Sequence, residues 1–144
     1  MQQDRIAIAS DHAGFEVKSK VKTLLRELGH EVIDLGTENG ESVDYPDFAD
    51  RMAQSLKDGG AGRGILICGT GIGISIAANR HRHLRAARCC DSTDARLARQ
   101  HNDANVLVLG SRTSGWETAR DCVSVFLNTE FEGGRHQRRI DKMS

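Results

Sequence analysis

The sequence predicts a three-layer α/β/α domain built around a five-stranded, mainly parallel sheet. Apolar runs typical of strands alternate with helical patterns from one end of the chain to the other. The third run, 64–68, is apolar on both faces, as expected for a strand in the middle of a parallel sheet. The connections are short and no linker or repeat interrupts the alternation. We therefore predict one domain over residues 1–144, ending in an arginine-bearing segment at about 128–144.

Each element follows from a local pattern. The predicted strands cover 5–9, 31–35, 64–68, 85–90 and 106–109. Helical patterns cover 17–28, 46–56 and 75–80, a stretch from about 92, and 116–127. Pro46 suits the first turn of the second helix, and Ser92 or Thr93 suits the cap of the fourth. The order of the strands in the sheet does not follow from the pattern.

Composition excludes several function classes. Twenty basic and twenty acidic side chains balance, so no net charge favours nucleic acid or an anionic membrane. Glycines and charges interrupt every apolar run before it reaches the length of a membrane span. The N-terminus lacks the basic and apolar regions of a signal peptide, and the four cysteines lack CxxC spacing. We expect a cytoplasmic protein that binds neither nucleic acid nor membrane.

Unusual polar residues follow most of the predicted strands. They are Asp11 and His12 after strand one, Tyr45 after strand two, Asp91 and then His101 and Asn102 after strand four, and Arg112 after strand five. Parallel α/β sheets bind ligands beyond the carboxyl ends of their strands. We therefore expect most of these side chains to line one ligand site.

The glycine loop after strand three is the most informative segment. Gly69, Gly71 and Gly73 alternate with Thr70 and Ile72, which leaves the backbone bare enough for several N–H groups to face one small anion. A phosphate and an enediolate oxygen are both suitable guests. The loop therefore predicts an anion site, although glycines that serve only a tight turn would give the same pattern.

Cys68 lies where strand three enters this loop. Nearby N–H groups would favour its thiolate and make it a base or a nucleophile. A buried thiol at the end of a strand is the alternative, since free cysteine is among the most buried residue types. The loop alone does not decide between the two.

Two other kinds of site fit the same residues less well. A dinucleotide site would use Gly69-x-Gly71 with Asp91, but isoleucine stands in place of the third glycine. His81 and His83 have the spacing of a metal-binding pair, but the arginines around them repel a divalent ion. We therefore predict neither a cofactor nor a metal.

The C-terminal segment allows two interpretations. Its composition is typical of a solvated, frayed end. If the segment is helical, Arg135 and Arg139 share one face and can clamp a phosphate.

Five segments together resemble the type B ribose-5-phosphate isomerases, a family with relatives that act on galactose 6-phosphate and allose 6-phosphate. They are Ser-Asp-His-Ala-Gly (10–14), Asp-Tyr-Pro (44–46), Cys-Gly-Thr-Gly-Ile-Gly-Ile-Ser-Ile-Ala-Ala-Asn (68–79), His-Asn-Asp-Ala-Asn-Val-Leu (101–107) and Glu-Gly-Gly-Arg-His-Gln-Arg-Arg (132–139). The resemblance spans essentially the whole chain. It implies a Rossmann-like domain and a homodimer, or a tetramer, whose active sites take residues from both subunits.

The resemblance implies roles for the reacting groups. Cys68 is similar to the base that moves a proton between C1 and C2 of the open-chain sugar, assisted by Thr70. The loop 69–73 resembles an anion hole that stabilises the enediolate. His101 resembles the residue that opens the furanose ring, with Asn102 beside it. Some relatives lack the cysteine and use a glutamate where this chain has Ile74, so the chain follows the cysteine branch.

The resemblance also implies the binding residues and the substrate. Asp11 and Tyr45 would line the sugar site. The phosphate would be bound by His12, Arg112, Arg135 and Arg139. The implied reaction interconverts D-ribose 5-phosphate and D-ribulose 5-phosphate, in the non-oxidative branch of the pentose phosphate pathway and without a metal. The alternatives are a six-carbon sugar phosphate as substrate, or a non-catalytic module that binds a nucleotide or phosphate and has no need of Cys68 or His101.

Overall fold

Residues 5–144 form five strands and six α-helices. The computed structural model describes these residues, and the N-terminal residues 1–4, considered above for targeting signals, lie outside them. The strands are β1 Arg5–Ser10, β2 Glu31–Asp34, β3 Arg63–Cys68, β4 Ala86–Arg88 and β5 Val106–Gly110. The helices are α1 Phe15–Glu27, α2 Tyr45–Lys57, α3 Ile72–Ala78, α4 Ser92–Asn102, α5 Trp116–Asn128 and α6 Arg135–Met143. Within this part of the chain, no helix is both long enough and apolar enough to span a membrane.

The strands form one parallel sheet in the order β2-β1-β3-β5-β4. This confirms the predicted fold class and supplies the strand order. From β1 the chain crosses to β2 at one edge, and from β3 it continues toward the other half of the sheet. The loops after β1 and β3 therefore diverge, and in parallel α/β sheets such a divergence forms the crevice, at the carboxyl ends of the strands, where ligands bind.

Helices cover both faces of the sheet. Ile65 and Ile67 of β3 belong to the core that includes residues of α1, α4 and α5, whereas Leu66 belongs to the core under α2 and α3. Because successive side chains of a strand point to opposite faces, a strand covered on both sides must be apolar throughout. The three predicted layers are present, and the continuous apolar run of β3 reflects its central position.

The start of α3 and the cap of α4 differ from the predictions. Helix α3 begins at Ile72, three residues before the predicted start, because Gly71 adopts a left-handed φ of 77° and the helix follows directly. Helix α4 is capped by Asp91, whose carboxylate accepts a hydrogen bond from the Asp94 N–H at 2.8 Å. Neither Ser92 nor Thr93 is the cap, because both already lie inside the first turn.

A buried lysine holds the end of β2. Lys18 is 2% exposed, and its Nζ donates to both carboxylate oxygens of Asp34, at 2.6 and 2.8 Å, and to the Thr37 carbonyl at 2.7 Å. Lys22 donates to the same carboxylate at 2.7 Å. Burial raises the pKa of Asp34, but the hydrogen bonds from Lys18 and Lys22 outweigh burial, so this pKa lies below its ordinary value.

Asp34→Asn should lower the free energy of unfolding at pH 7 by about 2 kcal/mol, because hydrogen bonds to a charged group are lost. The pKa of Asp34 is lower in the folded protein than in the unfolded chain, where it is 3.8. The contribution of this carboxylate to the free energy of unfolding is therefore fully present above pH 3.8 and is lost as the pH falls through the folded-state pKa. Urea unfolding of both proteins from pH 7 to pH 3 measures the difference. Asp121→Asn, at an exposed aspartate, is the control. If the difference in the free energy of unfolding between the parent protein and Asp34→Asn does not become smaller from pH 7 to pH 3, the stabilising role of the Asp34 carboxylate is contradicted.

Candidate active site

Cys68 and the glycine loop lie at the crevice between β1 and β3. Cys68 is the last residue of β3 and is 4% exposed. The Gly71 N–H donates to its Sγ at 3.2 Å, and the Ile72 N–H donates to Thr70 Oγ1 at 3.1 Å. The sulfur therefore faces a backbone N–H, an arrangement that stabilises negative charge on or near it.

Close contacts explain the glycines around this loop. A Cβ at Gly73 would lie 2.5 Å from the ring of Tyr45, so this glycine lets the tyrosine approach the start of α3. A Cβ at Gly110 would lie 2.6 Å from the carbonyl carbon of Thr70, so the loop crosses directly over the end of β5. These glycines therefore provide contact space as well as bare N–H groups.

The segment after β5 brings a cation to the loop. The Arg112 N–H donates to the Gly69 carbonyl at 2.8 Å, and the Ser111 N–H donates to the Cys68 carbonyl at 2.9 Å. A Cβ at Gly69 would lie 3.3 Å from Arg112 Nη1, so the guanidinium lies beside the loop. Arg112 is therefore suited to bind an anionic group of a ligand next to Cys68.

The end of β1 lines the other wall of the crevice. Asp11 is buried, and its Oδ1 accepts a hydrogen bond from the Gly14 N–H at 3.2 Å, which caps the 3-10 turn His12–Gly14. His12 Nδ1 accepts from the Val43 N–H at 3.2 Å. A nitrogen that accepts a hydrogen bond carries no proton, so the proton of this ring is on Nε2, free to donate to a ligand.

Four predicted site residues lie elsewhere, at the opposite edge of the sheet. They are His101, Asn102, Arg135 and Arg139. Helix α4 starts beyond the carboxyl end of β4 and runs back to the amino end of β5, where Arg85 Nε donates to the Asn102 carbonyl at 3.1 Å. The six residues of β3 separate Cys68 from this edge by about 17 Å. The expectation that most polar residues after the strands share one edge therefore does not extend to His101 and Asn102 within one chain, because a helix between parallel strands must run antiparallel to them.

The His101 ring lies against the C-terminal segment. It stacks on His136 with 4.4 Å between ring centroids and 15° between planes. Glu132 Oε1 is 3.8 Å from His101 Nε2 and 3.5 Å from His136 Nε2. These three groups could suggest a metal site, but nearly parallel rings do not aim both Nε2 lone pairs at one ion. The arrangement instead fixes the plane of the His101 ring.

Helix α6 presents the two predicted arginines to solvent. His136 and Ile140 are buried, whereas Arg135 and Arg139 are exposed. The C-terminal segment is therefore a helix with one anchored face and one cationic face, which meets the condition for the second interpretation, while the binding of phosphate by Arg135 and Arg139 stays a prediction.

The histidine pair before β4 has local partners. His81 Nε2 is 2.8 Å from Asp50 Oδ1, and His83 Nε2 is 2.7 Å from the Ala53 carbonyl. Their ring centroids are 6.2 Å apart. Both imidazoles thus join this loop to α2 rather than to a common ion. That the protein works without a metal stays a prediction.

Comparison with known proteins decides the family. Residues 6–143 match the family described as ribose/galactose isomerase. The chain belongs to the ribose/galactose isomerase family. Ribose-5-phosphate isomerase B of Escherichia coli is 47% identical over 140 residues, covering 97% of this chain and 94% of that protein. Solved structures of ribose 5-phosphate isomerases from Thermotoga maritima (57% identity, 96% of each chain) and Clostridium thermocellum (51% identity, 96% and 94%) both superpose with a TM-score of 0.95.

In this member of the ribose/galactose isomerase family, three residues that contact the candidate site residues were not predicted from the sequence. Glu132 and His136 contact His101, and Arg88 contacts the glycine loop through a 2.8 Å hydrogen bond to the Thr70 carbonyl. Glu132 and His136 belong to a segment that the sequence connects only with phosphate. Arg88 is exposed at the end of β4, and no pattern in the sequence connects it with the glycine loop.

Proposed function

We propose that this protein is an aldose–ketose isomerase that interconverts D-ribose 5-phosphate and D-ribulose 5-phosphate. The observation that carries the proposal is the Cys68 sulfur, buried at the β1–β3 crevice and facing the Gly71 N–H. Membership of the ribose/galactose isomerase family supports the reaction class, and the relatives named for ribose 5-phosphate support the substrate. In the cell, the proposed place is the cytoplasm and the non-oxidative branch of the pentose phosphate pathway.

The proposed chemistry is a proton transfer through an enediolate. The Cys68 thiolate removes the proton from C2 of the open-chain aldose, and the electron pair of that C–H bond forms the C1–C2 double bond. The carbonyl oxygen O1 takes up the negative charge, which the N–H groups of the loop 69–73 stabilise. Thr70 helps to move the proton of the O2 hydroxyl to O1, and Cys68 returns its proton to C1. Atoms and electrons balance without a redox cofactor or a metal.

Binding groups complete the proposed site. Asp11 and Tyr45 contact the sugar. The phosphate is held by the ring N–H of His12 and by the guanidinium groups of Arg112, Arg135 and Arg139. His101 donates a proton to the ring oxygen as the C1–O4 bond breaks, and the anomeric hydroxyl releases its proton to water as the C1–O1 carbonyl forms. Asn102 lies beside His101 in sequence.

The separation of these groups supports a homodimer with shared active sites. Cys68 ends β3 at one edge of the sheet, whereas His101 lies at the other, about 17 Å away along the six residues of that strand. Proton transfer requires hydrogen-bond contact with the substrate, so the two groups cannot act on one small sugar phosphate from one chain. In the proposed dimer, Cys68 of one chain and His101 of its partner serve the same substrate.

Ketose formation by the purified protein tests the proposal. Ribose 5-phosphate, allose 6-phosphate and galactose 6-phosphate are assayed in parallel in excess chelator, because the family description also covers galactose isomerases. Chelator-resistant turnover fastest with the pentose phosphate is expected. Preference for a six-carbon substrate would change the assigned substrate. Inactivity on all three by folded protein would favour a binding module.

A further inference from the structure

Arg88 contacts the backbone of the glycine loop from the far side of β5. It is the last residue of the edge strand β4 and is paired with Val108 of β5. Its Nε donates to the Thr70 carbonyl at 2.8 Å. The loop reaches this position by crossing the end of β5 at Gly110, where the Thr70 carbonyl group and the Thr113 hydroxyl occupy the space of the missing side chain.

The peptide that Arg88 contacts is the one that faces the sulfur. The Thr70 carbonyl and the Gly71 N–H belong to a single trans peptide unit, in which C=O and N–H point in opposite directions. Arg88 binds the carbonyl end, and the N–H end donates to Cys68 Sγ at 3.2 Å. A hydrogen bond to the carbonyl therefore fixes the direction of the N–H.

This peptide needs such a contact. Gly71 follows it with a φ of +77°, and glycine is permissive enough for the adjoining peptide plane to rotate at little steric cost. Gly110 beneath it has no side chain, and the nearby Thr113 hydroxyl donates to the Gly110 carbonyl rather than to this peptide. Arg88 supplies the restraint, and a charged donor also polarises the peptide, which strengthens the N–H as a donor.

We propose that Arg88 is a positioning residue, which holds the Thr70–Gly71 peptide so that its N–H faces the base and the developing oxyanion. The catalytic part of this inference rests on the proposed function. The structural part, that Arg88 fixes one peptide plane, does not depend on any activity.

Three substitutions separate the hydrogen bond from the charge. Arg88→Met removes both donor and charge at similar length. Arg88→Gln keeps an N–H donor the same number of bonds from the backbone as the arginine Nε, but it removes the charge. Arg88→Lys keeps the charge. Arg96→Met is the matched control, because Arg96 is an exposed arginine of α4 whose Nη1 donates to Gln100 on the same helix.

Exchange of the Gly71 amide, followed by NMR, tests the structural part. Arg88→Met should accelerate it about fivefold, the effect of losing one hydrogen bond, and Arg88→Gln should keep it within about twofold of the parent protein. Equal exchange rates in the parent protein and the Arg88→Met variant would overturn the inference. The exchange measurement tests the structural part even if the parent protein does not isomerise ribose 5-phosphate. That result would overturn the proposed function and not the structural part.

Steady-state kinetics test the catalytic part. Arg88→Met should lower kcat about fivefold with little change in KM, and Arg88→Gln should restore kcat, since the affected donor acts on the transition state. Arg96→Met should match the parent protein. If Arg88→Lys restores activity while Arg88→Gln does not, and the loss lies in KM, Arg88 acts through its charge on the phosphate and the positioning role is wrong.

Discussion

Cys68→Ala should lower kcat for ribose 5-phosphate by at least about 10³-fold, because the proposed reaction has no other base at the C2 proton. Substrate binding should persist, since the groups proposed to bind the sugar and the phosphate are unchanged. Ketose formation measures the rate, and calorimetric titration with ribose 5-phosphate measures affinity. The exchange of the C2 proton with solvent should be lost in parallel with turnover.

Controls separate the chemistry from folding. Cys90→Ala removes an exposed thiol and should leave kcat unchanged. Cys68 is buried, so the melting temperature of the Cys68→Ala protein is compared with that of the parent protein. Turnover within about tenfold of the parent protein, from a folded variant, would remove Cys68 as the base.

The His101→Asn variant should lose about 10²-fold or more in kcat on ribose 5-phosphate, which must be opened from its furanose form, and should largely keep activity on erythrose 4-phosphate, which cannot close through the phosphorylated oxygen. Parallel assays of both substrates give this ratio directly. Glu117→Gln, at a surface carboxylate in the first turn of α5, is the control and should affect neither substrate. Equal losses on both substrates would contradict ring opening by His101.

Mixing the two inactive proteins tests the shared site. In a hybrid dimer of Cys68→Ala and His101→Asn chains, one site carries both lesions and the other carries neither. Random exchange makes half of the dimers hybrid, so about a quarter of the parental activity should return. Exchange is verified by mass spectrometry of differently tagged chains. No recovery from verified hybrids would mean that both groups act from one chain.

The sequence predicted the fold because each layer leaves a strong local pattern. The apolar run 64–68 needs helices on both faces, and the glycines and Pro46 mark where the elements end or begin. The strand order could not be predicted, since the pairing of β3 with both β1 and β5 depends on contacts between residues that are far apart in the chain. The start of α3 depended on the left-handed conformation of Gly71, which the sequence permits but does not require.

The candidate site was predictable where its residues are sequence neighbours. The loop 69–73 and Cys68 follow one strand, so their proximity is dictated by the chain. The position of His101 could also have been derived, because a crossover helix that starts at the carboxyl edge must end at the amino edge. The contact of Arg88 with the glycine loop could not have been derived, because β5 lies between β4, which carries Arg88, and β3, from which the loop extends.

In the proposed dimer, the placement of Cys68 and His101 at opposite edges of one sheet has a consequence for how this protein behaves in dilute solution. If each half is silent alone, catalytic power is a property of the pair, and specific activity reports the fraction of chains that are associated. Dilution below the dissociation constant of the dimer then switches the enzyme off without unfolding it. Substrate that bridges both chains opposes dissociation, so the enzyme protects its own assembly most when its substrate is abundant.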